Sequence, residues 1–116
     1  MKIVINRLPP SNNRFIGRNA RWEYQDIKKQ WAQLIRLTAR PPSEPYRKAV
    51  VSIRYFFPDK RRRDPDNYSG KMILDGLVRC GVLLDDSFGC VRLDLSAGCD
   101  KENPRTEITI TEENDV

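Results

Sequence analysis

The segment at residues 49–57, AVVSIRYFF, alternates between apolar and more polar positions, and it decides the fold expected for this chain. Ser52 and Arg54 fall on one side of an extended backbone, and the other side carries Ala49, Val51, Ile53, Tyr55 and Phe57. A two-residue period is typical of a β-strand that buries one face. We therefore predict a half-buried strand here and place the other elements around it.

Upstream of this strand, the branched run Ile3-Val4-Ile5 predicts a strand over residues 2–8. The segment Pro9-Pro10-Ser11-Asn12-Asn13 resists both helix and sheet and predicts a loop. Over residues 21–39 the apolar positions recur every three or four residues, which is typical of an amphipathic helix. Those positions are Ile27, Trp31, Leu34, Ile35 and Thr38.

Downstream, residues 72–81 predict a second helix that ends near Gly81, and residues 90–95 and 106–111 alternate as strands do. The order is strand, helix, strand, helix, strand, strand. It predicts an α/β fold in which a mixed sheet of about four strands packs with two helices. At 116 residues, the chain is expected to form a single small domain over residues 1–116.

The composition favours a polyanionic partner, because the formal net charge is +5 and the pI is about 9.3. The alternative is that a basic soluble protein binds nothing charged. No apolar run is long enough to span a membrane, and residues 1–10 are too short and interrupted for a secretory signal. We therefore expect a soluble, cytoplasmic protein with no membrane partner.

The chain contains no histidine. A catalytic triad, a histidine general base and a histidine zinc site are therefore all excluded within it. The three cysteines, Cys80, Cys90 and Cys99, lack the C-x-x-C spacing of a zinc or redox site and are expected to be reduced or buried thiols. If the protein is an enzyme, carboxylates, lysine or a hydrated metal ion must carry its chemistry.

The segment Lys60-Arg61-Arg62-Arg63-Asp64-Pro65-Asp66-Asn67 joins a basic run to two carboxylates. Asp64 and Asp66 could converge on one Mg²⁺ ion, which prefers hard oxygen ligands. A second pair, Asp85-Asp86, reaches the same point only if the intervening helix and loop fold back. The alternatives are that these acidic residues are solvated or that Asp66 or Asn67 caps a helix.

The basic residues have two interpretations as well. The cations could hold substrate phosphates beside a metal site, or they could form a solvated face. Lys71 could neutralise charge on a phosphate, or it could pair with Asp75 one helical turn away. For the aromatic residues Trp22, Trp31, Tyr68 and Phe88, packing in the core is favoured over stacking on exposed bases.

These residues resemble the RusA family of Holliday-junction resolvases, and the matches run in the family's order from about residue 3 to residue 95. The family's R-R-D-x-D-N segment corresponds to residues 62–67, and its helical lysine corresponds to Lys71. Its D-[AG]-L turn corresponds to residues 75–77, its D-D pair to residues 85–86, and its P-P-S-x-N segment to residues 9–13.

The resemblance implies a homodimeric, Mg²⁺-dependent endodeoxyribonuclease, with Mn²⁺ able to replace Mg²⁺, that makes paired nicks across a four-way DNA junction during recombination and repair. By matching position, Asp64, Asp66 and Asp86 would bind the metal with Asp85 as a helper, and Lys71 would be the catalytic lysine. The segment between Asp66 and Lys71 is one residue longer than the family pattern. Either the helix starts after Gly70, or Lys71 is not the equivalent lysine.

The best candidates for contacts to DNA phosphates are basic residues at two places in the chain: Arg14, Arg18 and Arg21, together with Lys60, Arg61, Arg62 and Arg63. Two other functions stay open. The chain could be a basic DNA-binding module whose acidic cluster is structural, or a metal-dependent nuclease that acts on other DNA or RNA structures.

Overall fold

The computed structural model describes residues 1–15, 17 and 20–113. The predicted phosphate contact Arg18 lies outside these residues. The element bounds are β1 (Lys2–Ile5), α1 (Ala20–Thr38), β2 (Ala49–Phe57), α2 (Lys71–Arg79), β3 (Val91–Cys99) and β4 (Arg105–Glu112). Two short 3₁₀ turns, Asn12–Phe15 and Pro65–Tyr68, precede the two helices.

The predicted order of elements and the α/β class are confirmed. The bounds of β2 match the prediction, and α1 agrees to within one residue at each end. β1 is shorter than predicted and ends at Ile5. β3 continues to Cys99 rather than ending at residue 95, because its ladder with β2 extends that far.

The sheet has the strand order β1-β4-β2-β3 and is mixed, as predicted. β2 pairs parallel with β3, whereas its ladder with β4 and the β1–β4 ladder are antiparallel. β2 therefore lies inside the sheet and has a hydrogen-bonded neighbour on each side. The predicted alternation of β2 is confirmed, because Val51 and Ile53 are fully buried while Arg54 is exposed.

Helices α1 and α2 pack against each other and bury side chains at their contact. Trp31 and Ile35 of α1 and Ile73 and Leu77 of α2 are almost completely buried. The helices approach closely at Gly76, where an added Cβ would lie 2.7 Å from Cδ1 of Ile35.

A salt bridge of 3.2 Å between Lys28 Nζ and Asp75 Oδ2 joins the same two helices. Both side chains are about three-quarters buried. The pair therefore lies along the helix contact rather than in open solvent.

The four aromatic residues for which core packing was favoured do not all reach the core. Trp31 is buried, and Tyr68 is half-buried. Core packing is wrong for Trp22, whose exposed fraction is 79%, and for Phe88, which is fully exposed. Trp22 lies near the start of α1, and Phe88 lies in the loop before β3.

The face of the sheet that carries Arg54 holds a charged network. The guanidinium of Arg105 lies 3.9 Å from the ring centroid of Phe56 and donates to Asp100 Oδ2 and Glu107 Oε2 at 2.7 and 2.8 Å. Lys2 Nζ also contacts Glu107, at 3.0 Å. The hydrogen bond from Arg105 lowers the pKa of Asp100, and the hydrogen bonds from Lys2 and Arg105 lower the pKa of Glu107.

This network gives the first prediction. Because the folded-state pKa values of Asp100 and Glu107 are lowered, their contribution to stability is present at neutral pH and is lost as the pH falls below about 4. In Arg105→Gln the acid-induced decrease in the urea unfolding midpoint should be smaller than in the wild type. Arg40→Gln, at an exposed arginine outside this network, should keep the wild-type decrease. Equal decreases in all three proteins would contradict the prediction.

Candidate functional site

The acidic segment follows β2 and leads into α2, and Arg63 fixes its path. The Arg63 guanidinium lies 4.2 Å from the ring centroid of Phe57, and Nη1 lies 2.8 Å from Asp59 Oδ1. Nη1 also donates to the backbone carbonyls of Asp59 and Arg61, at 3.2 Å in each case. The hydrogen bond from Arg63 lowers the pKa of Asp59. Only 15% of the Arg63 side chain is exposed, so this predicted phosphate contact is engaged within the protein.

The 3₁₀ turn Pro65–Tyr68 is held to the sheet by Tyr68. The Tyr68 ring lies 5.7 Å from the Tyr55 ring and 5.1 Å from the Phe57 ring, measured between centroids. Pro65 favours the start of a helical turn because its φ angle is already fixed near the required value. The turn is therefore anchored by aromatic packing at its end and by proline at its beginning.

Asp64 and Asp66 flank Pro65 and face solvent. The Asp64 carboxylate is 47% exposed and accepts a hydrogen bond of 3.2 Å from Arg62 Nε. Asp66 is exposed, and its carboxylate has no hydrogen-bond or ion-pair partner among the described residues. Two carboxylates on a rigid turn, one of them without a partner, are available to bind a cation.

Asn12 supports this turn from the N-terminal part of the chain. Its Nδ2 donates to the Asp66 backbone carbonyl at 2.9 Å and to Ser69 Oγ at 3.4 Å. The local sequence indicates no role for Asn12. Asn12 occupies the variable position of the P-P-S-x-N match, and a contact across 54 positions of sequence cannot be read from local spacing.

Helix α2 begins at Lys71, directly after Gly70. Of the two alternatives for the extra residue, the structure shows that the helix starts after Gly70. Gly70 has a φ angle of +79°, and an added Cβ would lie 2.7 Å from Ile53 Cδ1. Because the N-cap is Gly70, neither Asp66 nor Asn67 caps this helix.

Lys71 is exposed, and it has no ion-pair partner within the described part of the chain. Asp75, its alternative partner, contacts Lys28 of α1 instead. Tyr55 lies beneath the start of α2, and its hydroxyl is buried without a hydrogen-bond partner among the described residues. Burial strongly raises the pKa of Tyr55. The tyrosine is thus uncharged, and Lys71 is the cation presented at the helix start.

The second acidic pair, Asp85 and Asp86, lies in the exposed loop between α2 and β3. Asp86 lines an open groove of about 730 Å³ together with residues 90–93. Asp64 lines a smaller cavity of about 80 Å³ together with residues 95–97. The midpoints of these two parts of β3 are roughly 15 Å apart at the usual rise of a strand.

One chain therefore does not gather Asp64, Asp66 and Asp86 into a compact cluster. Across residues 1–15, 17 and 20–113, no three aspartate, glutamate or cysteine side chains are arranged to hold a metal ion. The structure places Asp64 and Asp66 on one turn and Asp86 beyond the opposite end of α2. The role of Asp86 as a ligand stays a prediction.

The remaining basic candidates differ in their exposure and in their ion-pair partners. Lys60 is exposed and has no ion-pair partner in the described chain. Arg61 and Arg62 are more than 80% exposed and pair with Asp59 and Asp64 at 3.4 and 3.2 Å. Arg14 forms a 2.6 Å salt bridge with Glu23 of α1, and Arg21 is exposed.

The cysteines Cys80, Cys90 and Cys99 are free thiols. None of the described helices is long and apolar enough to cross a membrane.

These features define a small α/β domain that presents two carboxylates among exposed cations on a rigid turn. The family model for endodeoxyribonuclease RusA matches residues 8–111, which is nearly the whole chain and includes every element from the first 3₁₀ turn through most of β4. The chain therefore belongs to the RusA endodeoxyribonuclease family, whose members are hydrolases. No curated protein shows significant similarity to the chain.

The anchoring role of Arg63 leads to a prediction about stability. Arg63→Ala removes the contact with Phe57 and the hydrogen bonds to residues 59 and 61, so the free energy of unfolding should fall by about 1–3 kcal/mol. Arg62→Ala removes an equally charged but exposed side chain and should change it by less than about 0.5 kcal/mol. Urea unfolding measures both values. Equal effects would show that Arg63 is not an anchor.

Gly70 leads to a third prediction. Gly70→Ala places a side chain at positive φ and against Ile53, so it should lower the free energy of unfolding by about 1–3 kcal/mol. Gly89→Ala is the matched control, because Gly89 has negative φ and open space around an added Cβ. We expect a change below about 0.5 kcal/mol for the control. Urea unfolding of both variants distinguishes local strain from a general effect of the substitution.

Proposed function

We propose that this protein is a Mg²⁺-dependent endodeoxyribonuclease that resolves four-way DNA junctions by paired hydrolytic nicks. Membership of the RusA family supports the nuclease function. The observation that carries the proposal is the Asp64-Pro65-Asp66 turn, which is fixed by buried contacts but leaves its carboxylates accessible.

The donor set of the turn is compatible with magnesium. Mg²⁺ is commonly bound through one or two carboxylates and substrate phosphates while it keeps several waters. Asp64 and Asp66 supply hard oxygen atoms from the two sides of Pro65, and the chain has no histidine that would favour a softer metal. In this proposal Asp64 and Asp66 hold the ion, with Mn²⁺ as a substitute. Asp86, helped by Asp85, is kept as a proposed third ligand on the family resemblance alone, because one chain holds it away from the turn.

The bound ion would supply activation of water and neutralisation of phosphate charge. The protein's own residues fix the geometry. Asn12 holds the backbone of Asp66, Arg63 holds the path of the segment, and Arg62 orients the Asp64 carboxylate through its 3.2 Å hydrogen bond. Lys71 is exposed at the start of α2, from which its ammonium group can neutralise charge that develops on the scissile phosphate.

The exposed cations on either side of the turn are assigned to the DNA backbone. Lys60, Arg61 and Arg62 precede the carboxylates, and contacts of this kind position DNA without reading its sequence. Arg14, Arg18 and Arg21 complete the proposed set, and Arg63 is assigned to the protein's own structure. Binding should weaken steeply with salt concentration, because each phosphate contact releases counterions.

A four-way junction has approximate two-fold symmetry, and its resolution needs two cuts on opposed strands. A homodimer with two-fold symmetry supplies two equivalent sites at a fixed separation. We therefore include dimerisation in the proposal and assign the protein to DNA recombination and repair in the cytoplasm.

The decisive experiment uses an end-labelled synthetic four-way junction and a linear duplex of the same sequence, each with Mg²⁺ and with Ca²⁺. The wild type should make symmetric paired nicks only in the junction and only with Mg²⁺. Asp66→Asn should reduce the cleavage rate by about a hundredfold or more, because it removes a carboxylate that would hold the metal ion. Lys71→Met should reduce it by about a hundredfold, because it removes a positive charge that stabilises the transition state.

Asp26→Asn is the matched control, since it neutralises an exposed carboxylate on α1 away from the turn. It should cleave at the wild-type rate, and urea unfolding should show that all variants are folded. Binding of the junction without cleavage in Mg²⁺ would support a DNA-binding module instead. Equal cleavage of junction and duplex would support a nuclease without junction specificity.

A further inference from the structure

Strand β3 presents a long edge of the sheet that no described strand covers. It contains nine residues, and the only described strand that pairs with it is β2. The opposite edge of the sheet, β1, has only four residues and carries Lys2, which is typical of an edge that avoids pairing. An extended edge with unpaired backbone groups is a template for another strand.

The orientation of the backbone groups along β3 follows from its contacts with β2. The Cys90 carbonyl accepts from Ala49 N–H at 2.9 Å, and the Asp100 N–H donates to the Phe57 carbonyl at 2.8 Å. Even-numbered positions therefore direct their backbone groups toward β2. Because the direction alternates along a strand, the N–H and C=O groups of Leu93 and Leu95 and the C=O of Val91 point to the free edge. The Val91 N–H donates to the Ser87 carbonyl at 3.0 Å.

The side chains of β3 also divide between two surfaces. Val91, Leu93 and Leu95 lie on the helix-covered face and are buried or half-buried. Arg92 and Asp94 are exposed on the other face. The only ion pair of Arg92 with a described residue is a 3.8 Å contact with Glu113, and 70% of the Arg92 side chain is exposed. The guanidinium of Arg92 is therefore available.

The region around the start of β3 exposes apolar surface. Phe88 is fully exposed, and Leu84 is 55% exposed. Both residues lie in the loop that leads into β3, and Phe88 lines the same groove as Leu74 and Leu93. Large apolar side chains at the end of an uncovered strand are typical of a protein–protein interface.

We propose that β3 pairs antiparallel with β3 of a second copy of this chain, with the two-fold axis at Leu93. The inference rests on the homodimer in the proposed function and specifies its interface. In this register Leu93 faces Leu93 of the second copy in a hydrogen-bonded pair, as its outward backbone groups require. Arg92 then faces Asp94 of the second copy, and Asp94 faces Arg92, so the symmetry creates two complementary charge pairs.

Neighbouring registers lack this complementarity. A two-fold axis at residue 92 places Arg92 opposite Arg92 of the second copy. An axis at residue 94 places Asp94 opposite Asp94 of the second copy. An axis at Leu95 opposes Arg92 with Gly98 and Asp94 with Ser96, so neither charge finds a partner. The axis at Leu93 also faces Val91 with Leu95 on the helix-covered face, and it continues the apolar layer between the two copies.

The interface can be tested with a charge swap, measured by sedimentation equilibrium of the whole protein. In Arg92→Asp, each of the two pairs consists of two facing aspartates. In Asp94→Arg, each pair consists of two facing arginines. Each single variant should raise the dimer dissociation constant by about tenfold or more. The double variant Arg92→Asp with Asp94→Arg restores opposite charges and should recover most of the wild-type affinity. A double variant no tighter than the single variants would overturn the proposal.

Cysteine cross-linking tests the register directly. Residues 92 and 94 would be opposed in a non-hydrogen-bonded pair with Cα atoms about 4.5 Å apart, which a disulfide can span. The double variant Arg92→Cys with Asp94→Cys should therefore form a covalent dimer under mild oxidation, well above the background from the native thiols in the wild type. Each single cysteine variant should stay near that background. Equal cross-linking in single and double variants would overturn the register.

Failure of the interface and failure of the nuclease function are distinguishable. A wild-type monomer, or a dimer unaffected by both charge reversals, overturns the interface whether or not the protein cleaves junctions. A dimer that responds to the charge swap as expected, and that cleaves no DNA, supports the interface and removes only the nuclease function.

Discussion

Burial of one face of β2 is the constraint on which the rest of the structure depends. β2 is the strand that has a parallel neighbour on one side and an antiparallel neighbour on the other. Its apolar side chains, including Val51 and Ile53, supply the middle of the core beneath the two helices. A shift of one residue in its register would turn every one of these side chains to the solvent. The positions of β3 and β4 on the two sides of β2 thus depend on this nine-residue segment.

The same strand also determines where the acidic segment lies. Tyr55 and Phe57 occupy its last two buried positions, and they receive Tyr68 and Arg63 from the segment that follows. The turn carrying Asp64 and Asp66 is therefore attached to the core through ring contacts, although its carboxylates are in solvent. Rigid support of exposed charged groups is what a site for a hydrated cation and a phosphate requires, because the geometry must exist before the substrate arrives.

The separation of the two acidic pairs changes the interpretation of the site. Asp86 lies beside the start of β3, whereas Asp64 lies beside its later half. The parallel pairing of β2 and β3 requires a crossover connection between them, which contains α2, and this crossover carries the second pair away from the first. The exposed Phe88 and the uncovered edge of β3 lie in the same region as Asp86. This end of the molecule thus combines charge, apolar surface and free backbone groups, which are the components of a contact with another macromolecule.

The sequence by itself determined the element order, the α/β class, the bounds of β2 and the choice of carboxylates and lysine as the available chemistry. It could do so because alternation, helical periodicity, proline positions and the lack of histidine are local properties of the chain. Only the tertiary structure decided that Arg63 anchors the loop, that Asn12 holds Asp66, that Trp22 and Phe88 lie outside the core, and that Asp86 stands apart from Asp64. Each of these depends on contacts between distant segments, and the sign of a charge or the size of a ring does not reveal which partner it will meet once the chain has folded.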